Sequence, residues 1–198
     1  MVLAEPVQIT RLIAEVFERF QIPYLVGGSL ASSLHGIPRA TQDVDMVADL
    51  KPQHIAPLVR ALETAFYIDA DMVRDAIQRR SSFNVIHLAT MFKVDIFVLQ
   101  DNRASQEEMA RRERYELSEK PRQELFVATA EDIILHKLHW FQLGGGVSER
   151  QWNDVLGVLQ VQKGKLNLSY LQQTAKHMGV KDLLEQAFRD AGIEFING

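Results

Sequence analysis

Residues 24–47 decide the fold, and they read YLVGGSLASSLHGIPRATQDVDMV. The apolar triplet at 24–26 predicts a short buried strand that runs into Gly27-Gly28-Ser29. A helical turn follows and ends at Gly36-Ile37-Pro38. The segment Asp43-Val44-Asp45-Met46-Val47 then alternates polar and apolar side chains, which predicts a second strand with one solvated face. The order predicted for this stretch is therefore strand, glycine turn, helix, strand.

Paired aspartates in the second predicted strand indicate a metal site. Asp43 and Asp45 are two residues apart, so both carboxylates project from one face, and such close charges repel unless a cation lies between them. Asp95, inside the apolar strand predicted over 92–99, is a third carboxylate that is costly to bury unless it is paired or coordinated. Oxygen ligands favour Mg²⁺ or Mn²⁺. If the two strands are neighbours, the three carboxylates converge on one site suited to phosphoryl displacement.

The glycine turn before this strand has the features of a phosphate-binding site. Gly27 and Gly28 let backbone N–H groups approach an anion, and the start of the following helix favours negative charge. Ser29 adds a hydroxyl donor for the same phosphate. Arg39 and Thr41 flank the loop before the aspartates, where they either bind a triphosphate or shape the turn.

The rest of the chain predicts an α+β lobe followed by helices. Residues 101–124 are rich in charge and form the predicted boundary, so residues 1–124 hold a small mixed β-sheet flanked by helices and residues 125–198 form a helical C-terminal part. Helical spacing and caps predict helices over 7–20, 55–66, 72–79, after Thr129, after Ser148, and over 168–178 and 181–191; further strands are predicted over 83–87 and 92–99.

Composition narrows the classes of function. With 46% hydrophobic and 24% charged residues, the 198-residue chain is typical of a globular protein. It has no cysteine, which excludes disulfides, thiolate zinc sites and cysteine nucleophiles. A formal net charge of -4 argues against charge-driven coating of nucleic acid and leaves a local basic cleft open. The N-terminus lacks a basic segment followed by an apolar run, and no apolar run is long enough for a bilayer, so we expect neither a signal peptide nor a membrane span.

The motifs taken together resemble a known superfamily. Gly28-Ser29, a short helix and Asp43-x-Asp45, with Asp95 on a later strand, are similar to the signature of the DNA polymerase β-like nucleotidyltransferases. The resemblance implies that residues 1–124 are a nucleotidyltransferase-like lobe. It also implies transfer of a nucleoside monophosphate from a nucleoside triphosphate to a hydroxyl or phosphate, with Mg²⁺ or Mn²⁺ as cofactor. In that reaction Asp95 would assist deprotonation of the acceptor.

Further matches are to the toxin-type branch of the superfamily, the AbiEii-like proteins. They cover residues 27–31, 36–45, 93–95, 131–138 and 150–155, and the last two ranges match more loosely. The resemblance implies that a helical lysine and a later aspartate, Lys137 and Asp154, complete the active site, and that the protein is cytoplasmic. Two alternatives stay open: a toxin-like enzyme controlled by an antitoxin-like partner, and a housekeeping or antibiotic-modifying enzyme. The chain departs from the branch at Ile133, four residues before Lys137, where some toxin members carry glutamine.

Each candidate residue also has a simpler interpretation. The paired aspartates can be solvent-exposed residues at a strand end. Asp95 can face water on an edge strand beside Lys93, or belong to a satisfied ion pair. Lys137 is either a surface lysine or a cation that contacts phosphate. Asp154 lies in the first turns of a predicted helix, where the helix dipole favours acids in any case.

Two questions about function stay open from the sequence. The first is whether the chain is an enzyme or a catalytically silent nucleotide-binding or partner-binding module on the same fold; the presence of all three carboxylates counts against the silent module. The second is the acceptor, which can be RNA, protein or a small molecule such as an antibiotic. The basic run at 111–114 is either a solvated surface or a contact for an RNA acceptor.

Overall fold

The structure is a computed structural model that describes residues 5–119 and 122–194. The elements of the first part of the chain are α1 Glu5–Arg19, β1 Tyr24–Val26, α2 Gly28–His35, β2 Asp43–Ala48, α3 Ile55–Leu62, β3 Phe66–Tyr67, α4 Ala70–Arg79, β4 Ser82–His87, β5 Lys93–Val98, α5 Arg103–Arg111, β6 Glu113–Glu119 and β7 Arg122–Val127. Four helices follow, α6 Ala130–Leu143, α7 Glu149–Val161, α8 Leu168–Met178 and α9 Lys181–Asp190. The predicted α+β class, with a mixed sheet and a helical C-terminal part, is confirmed.

The chain divides into two compact units. The first unit runs to Leu30 and resumes over Ala40–Ala128, and the second comprises Ala31–Arg39 together with the chain from Thr129 onward. The sequence placed a boundary at residue 124, which lies within β7. Helix α2 begins in the first unit and ends in the second.

The first unit is built on a mixed sheet. Its seven strands, counted over the described residues, lie in the order β3-β4-β5-β2-β1-β7-β6. Strand β2 pairs in parallel with β5, and β1 pairs in parallel with β7, whereas the other neighbours are antiparallel. The central strands β2 and β5 bury every second residue completely, which leaves the residues between them on the opposite, more accessible face.

The charge-rich segment after Leu99 is regular structure that the sequence analysis did not predict. Helix α5 begins after Asn102, whose side chain accepts a hydrogen bond from the backbone N–H of Ser105 at 2.9 Å. Strands β6 and β7 form an antiparallel hairpin with an irregularity between Glu116 and Ser118. Because β6 is an edge strand, charged side chains on it block pairing with other chains, and they also conceal the apolar pattern of a strand.

The predicted helical stripe over 55–66 was wrong at its end. Helix α3 ends at Leu62, and Phe66 lies in β3, where it pairs with His87 of β4. Phe66 is buried and its ring lies 5.3 Å from the His87 ring. Its apolar character therefore comes from sheet packing, although its spacing from Leu62 is also that of a helix.

Helices α6 to α9 form the core of the second unit. The predicted caps are present: the Thr129 side chain accepts from the backbone N–H of Asp132, and that of Ser148 accepts from Gln151. Gly179 ends α8 in the left-handed conformation, with φ of +70°. Apolar side chains from all four helices are fully buried, among them Ile134, Val158, Leu171 and Leu184.

Among the described residues, no helix has both the length and the apolar character needed to cross a membrane.

Candidate active site

The register of β2 and β5 places the three predicted carboxylates on one face of the sheet. The two strands are parallel neighbours, with Asp45 directly opposite Asp95 and Asp43 opposite Lys93. The residues that alternate with them on both strands are fully buried in the core. Since side chains of paired residues project to the same side, Asp43, Asp45 and Asp95 share the accessible face. The condition set by the sequence, that the two aspartate strands be neighbours, is therefore met.

Asp43, Asp45 and Asp95 form a row of acids on this face, the acid row. A lysine, Lys93, lies within it. The Nζ atom of Lys93 is 2.7 Å from Oδ2 of Asp95. The hydrogen bond to Asp95 raises the pKa of the Lys93 ammonium, and the negative charges of Asp95, Asp43 and Asp45 raise it further, while burial acts in the opposite direction. The ammonium is thus held in the field of all three carboxylates.

The glycine turn lies directly against one of these carboxylates. Gly28 begins α2 with φ of +56°, and a Cβ built there would lie only 1.8 Å from Oδ2 of Asp45. Glycine is therefore required, both for its backbone conformation and for the space that the carboxylate occupies. Gly27 has no such neighbour, and its backbone N–H donates to the carbonyl oxygen of Asp45 at 2.9 Å. Of the two glycines in the predicted turn, Gly28 is the one that is packed against the Asp45 side chain.

The donor set fits a hard divalent cation. Asp43, Asp45 and Asp95 offer only oxygen ligands, from two adjacent strands, which suits Mg²⁺ or Mn²⁺. Gly28 leaves room for the Asp45 carboxylate at the start of α2, where a side chain would displace it. Within residues 5–119 and 122–194, no three His, Cys, Asp or Glu side chains are already arranged around a common metal position. In this structure the Asp95 carboxylate is directed to Lys93 instead.

Two further residues of the first unit lie near the carboxylates. Asn84 of β4 is directly opposite Asp95 on the side away from β2, and it is half-buried on the same face. Sequence reasoning missed Asn84; the available signal was a lone amide between the apolar residues of a predicted strand. The Thr41 hydroxyl donates to the backbone carbonyl of Asp43 at 2.7 Å, which favours the turn-shaping interpretation of Thr41.

The other predicted site residues meet in the second unit, around Asp154. Arg39 binds this carboxylate through two hydrogen bonds, Nε to Oδ1 at 2.6 Å and Nη2 to Oδ2 at 2.8 Å. The Nζ atom of Lys137 donates to Oδ2 at 2.8 Å. The Lys137 and Asp154 side chains are only 7% and 6% exposed, so Lys137 is not a surface lysine. Two cations therefore share one carboxylate in this buried cluster.

The two cations determine the charge state of the acid. Burial acts to raise the pKa of Asp154, but the hydrogen bonds from Arg39 and Lys137, together with their positive charges, outweigh it, and the pKa is lowered. Asp154 is therefore ionised at neutral pH. Removing one partner of a buried ion pair of this kind strongly destabilises the folded protein.

Close backbone packing brings Arg39 to Asp154. A Cβ at Gly36 would lie 2.7 Å from the backbone nitrogen of Val158 in α7, and one at Gly157 would lie 3.3 Å from the nitrogen of Ile37. Two glycines thus allow the loop after α2 to lie directly against α7. The Gln162 side chain also donates to the carbonyl oxygen of His35 at 2.7 Å. The predicted turn at Gly36-Ile37-Pro38 is therefore part of this packing.

Comparison with known proteins identifies the fold. No protein-family model and no curated protein sequence matches the chain. An antigenic nucleotidyltransferase-like protein from Paracoccidioides brasiliensis is similar in structure, with a TM-score of 0.57 over 93% of this chain and 92% of that one, at 16% identity. The lincosamide antibiotic adenylyltransferase LnuA, in its lincomycin-bound structure, is similar over 80% of this chain and 98% of its own, with a TM-score of 0.52 and 15% identity.

At these identities the likeness is one of fold. The chain has the nucleotidyltransferase fold that the resemblance in its sequence implied. The narrower resemblance to the AbiEii-like branch stays a prediction.

Proposed function

We propose that this protein is a divalent-metal-dependent nucleotidyltransferase that transfers a nucleoside monophosphate from a nucleoside triphosphate to an acceptor. The observation that supports it best is the parallel register of β2 and β5, which sets Asp45 beside Asp95 with Asp43 on the same face. Three carboxylates beside a glycine turn that opens a helix match what phosphoryl transfer needs, a divalent ion and phosphate-binding N–H groups. The nucleotidyltransferase fold of the chain agrees with this reaction.

The first unit supplies groups for each part of the reaction. Asp43, Asp45 and Asp95 would hold the metal ion, which neutralises charge on the phosphates when bound. The helix start at Gly28 and Ser29 binds phosphate oxygens through N–H groups and a hydroxyl. The acceptor hydroxyl loses its proton to Asp95, its oxygen bonds to the α-phosphorus, and the bond from that phosphorus to the pyrophosphate oxygen breaks. Catalysis then consists mainly of positioning and electrostatic stabilisation.

The remaining assignments rest on the sequence analysis. The catalytic role of Lys137, the nucleotide-binding roles of Arg39, Thr41 and Asp154, the cytoplasmic location and the antitoxin-like partner all stay predictions. The acceptor is RNA, protein or a small molecule, and a direct assay has to include all three classes.

The test is a transfer assay with an isosteric variant. Each α-³²P-labelled nucleoside triphosphate is incubated with Mg²⁺ and, separately, with total cell RNA, total cell protein and a panel of hydroxyl-bearing antibiotics. We expect wild-type protein to label one acceptor class and Asp45→Asn to label it about a hundredfold less, since one electrostatic group in a transferase site contributes on that scale. Chelation of the metal should abolish labelling.

Asp49→Asn is the matched control. Asp49 follows β2 directly, so the variant makes the same change of charge four residues away without touching the row of acids. It should label the acceptor at the wild-type level. Equal labelling by wild type and Asp45→Asn would remove the proposal, and nucleotide binding by calorimetry without any transfer would favour the silent module.

A further inference from the structure

Lys93 is the residue of the acid row to which the proposed chemistry assigns no role. It begins β5, its strand partner across the ladder is Asp43, and its ammonium lies 2.7 Å from Oδ2 of Asp95. A divalent ion held by the three carboxylates would need the Asp95 oxygens, one of which this ammonium now contacts. The Lys93 ammonium and the divalent ion would therefore compete for the Asp95 carboxylate.

We propose that Lys93 is an internal counter-cation that competes with the free divalent ion for Asp95 and makes tight metal binding depend on the nucleotide. The proposal rests on the proposed function, because it takes the three carboxylates as the metal ligands. It adds a positioning residue and an order of preference: the site favours the metal–nucleotide complex over the metal alone.

The charges of these side chains explain why Lys93 would weaken the binding of the free ion and strengthen the binding of the metal–nucleotide complex. The carboxylates of Asp43, Asp45 and Asp95 carry three negative charges, and Lys93 leaves the row with two. A free divalent ion is therefore attracted less strongly, and it must also separate Asp95 from its ammonium partner. A triphosphate brings negative oxygens of its own, which give the released ammonium a new partner. Lys93 thus weakens the binding of metal alone and strengthens the binding of metal with nucleotide.

The simpler alternative is an ordinary surface ion pair without consequence for metal binding. The side chains of Lys93 and Asp95 are 44% and 22% exposed. Ion pairs with this exposure contribute little to the stability of the fold. The chain offers a close match for that alternative in Lys51 and Asp49, which are also two residues apart, lie 3.3 Å from each other and are 50% and 23% exposed. Asp49 is outside the acid row. Replacing Lys51 therefore measures the effect of losing a similarly exposed, ion-paired lysine away from the proposed metal ligands.

The experiment measures Mn²⁺ binding to the full-length protein by electron paramagnetic resonance, first alone and then with α,β-methylene-ATP. Without nucleotide, Lys93→Met should bind Mn²⁺ about two- to fivefold more tightly than wild type, the range that a partly exposed ion pair supports. With the nucleotide analogue, the same variant should bind the complex about two- to fivefold more weakly than wild type. Lys51→Met should leave both affinities unchanged, and Lys93→Arg should stay close to wild type because it keeps the charge.

The outcomes separate this inference from the function on which it rests. If Lys93→Met matches Lys51→Met in both titrations while Asp45→Asn abolishes Mn²⁺ binding, the inference is overturned and the metal site stands. If Lys93→Met binds both the free ion and the nucleotide complex more tightly, the dependence on nucleotide is overturned. If neither wild type nor Lys93→Met binds Mn²⁺ in either condition, the proposed function fails and the inference fails with it.

Discussion

Replacement of Gly28 by alanine tests how closely the glycine turn and the acid row depend on each other. The added Cβ would lie 1.8 Å from Oδ2 of Asp45 and 2.8 Å from its Cγ, so the carboxylate has to retreat by about 2 Å to reach ordinary contact. A shift of about 1 Å in the position of a catalytic group lowers the reaction rate on the order of a hundredfold. We therefore expect Gly28→Ala to transfer nucleotide about a hundredfold more slowly than wild type.

The effect on stability should be small by comparison. An alanine held at φ of +56° costs about 1–2 kcal/mol, which in a chain of this length lowers the melting temperature by about 2–8 °C. Gly179→Ala is the matched control, since Gly179 has φ of +70° and open space where its Cβ would be. It should show the same loss of melting temperature by calorimetry and full transfer. If Gly28→Ala kept transfer within threefold of wild type, or Gly179→Ala lost as much, the reasoning would be refuted.

Other predictions concern the buried cluster of the second unit. Asp154→Asn leaves the Lys137 ammonium without its counter-charge and should cost about 3 kcal/mol of stability, or about 6–12 °C in melting temperature. Adding Lys137→Met to Asp154→Asn should recover part of that loss; no recovery in a double-variant cycle would show that the two side chains are not coupled. Because the folded-state pKa of Asp154 lies below its ordinary value of 3.8, its stabilisation is fully present above that pH and is lost as the pH falls through the folded value. Acid unfolding followed by circular dichroism should accordingly show a shallower pH dependence below about pH 4 in Asp154→Asn than in wild type, and identical slopes would contradict this assignment.

The parts of the site that could be predicted from sequence are those set by short spacing. The two-residue interval between Asp43 and Asp45 fixes a common face in any strand, and an apolar strand around Asp95 makes its carboxylate conspicuous. The glycine pair indicated a turn but did not show that Gly28 alone is packed against Asp45. That distinction depends on a contact between residues 17 positions apart.

The parts that could not be predicted depend on pairing between distant segments. Asn84 acquires its place beside Asp95 only from the register of β4 against β5. Arg39 and Asp154 are 115 residues apart, and no local pattern indicates that a guanidinium from one loop binds a carboxylate on α7. The hairpin of β6 and β7 was missed for a different reason, because an edge strand rich in charge lacks the apolar alternation by which strands are predicted.

The most direct measurement is the anomalous scattering of Mn²⁺ in crystals grown with Mn²⁺ and α,β-methylene-ATP. The account predicts a peak within ligand distance of Asp43, Asp45 and Asp95, with phosphate oxygens of the analogue beside the start of α2 and the Lys93 ammonium turned away from Asp95. A nucleotide bound elsewhere, or a metal peak that the Asp95 carboxylate does not approach, would contradict it.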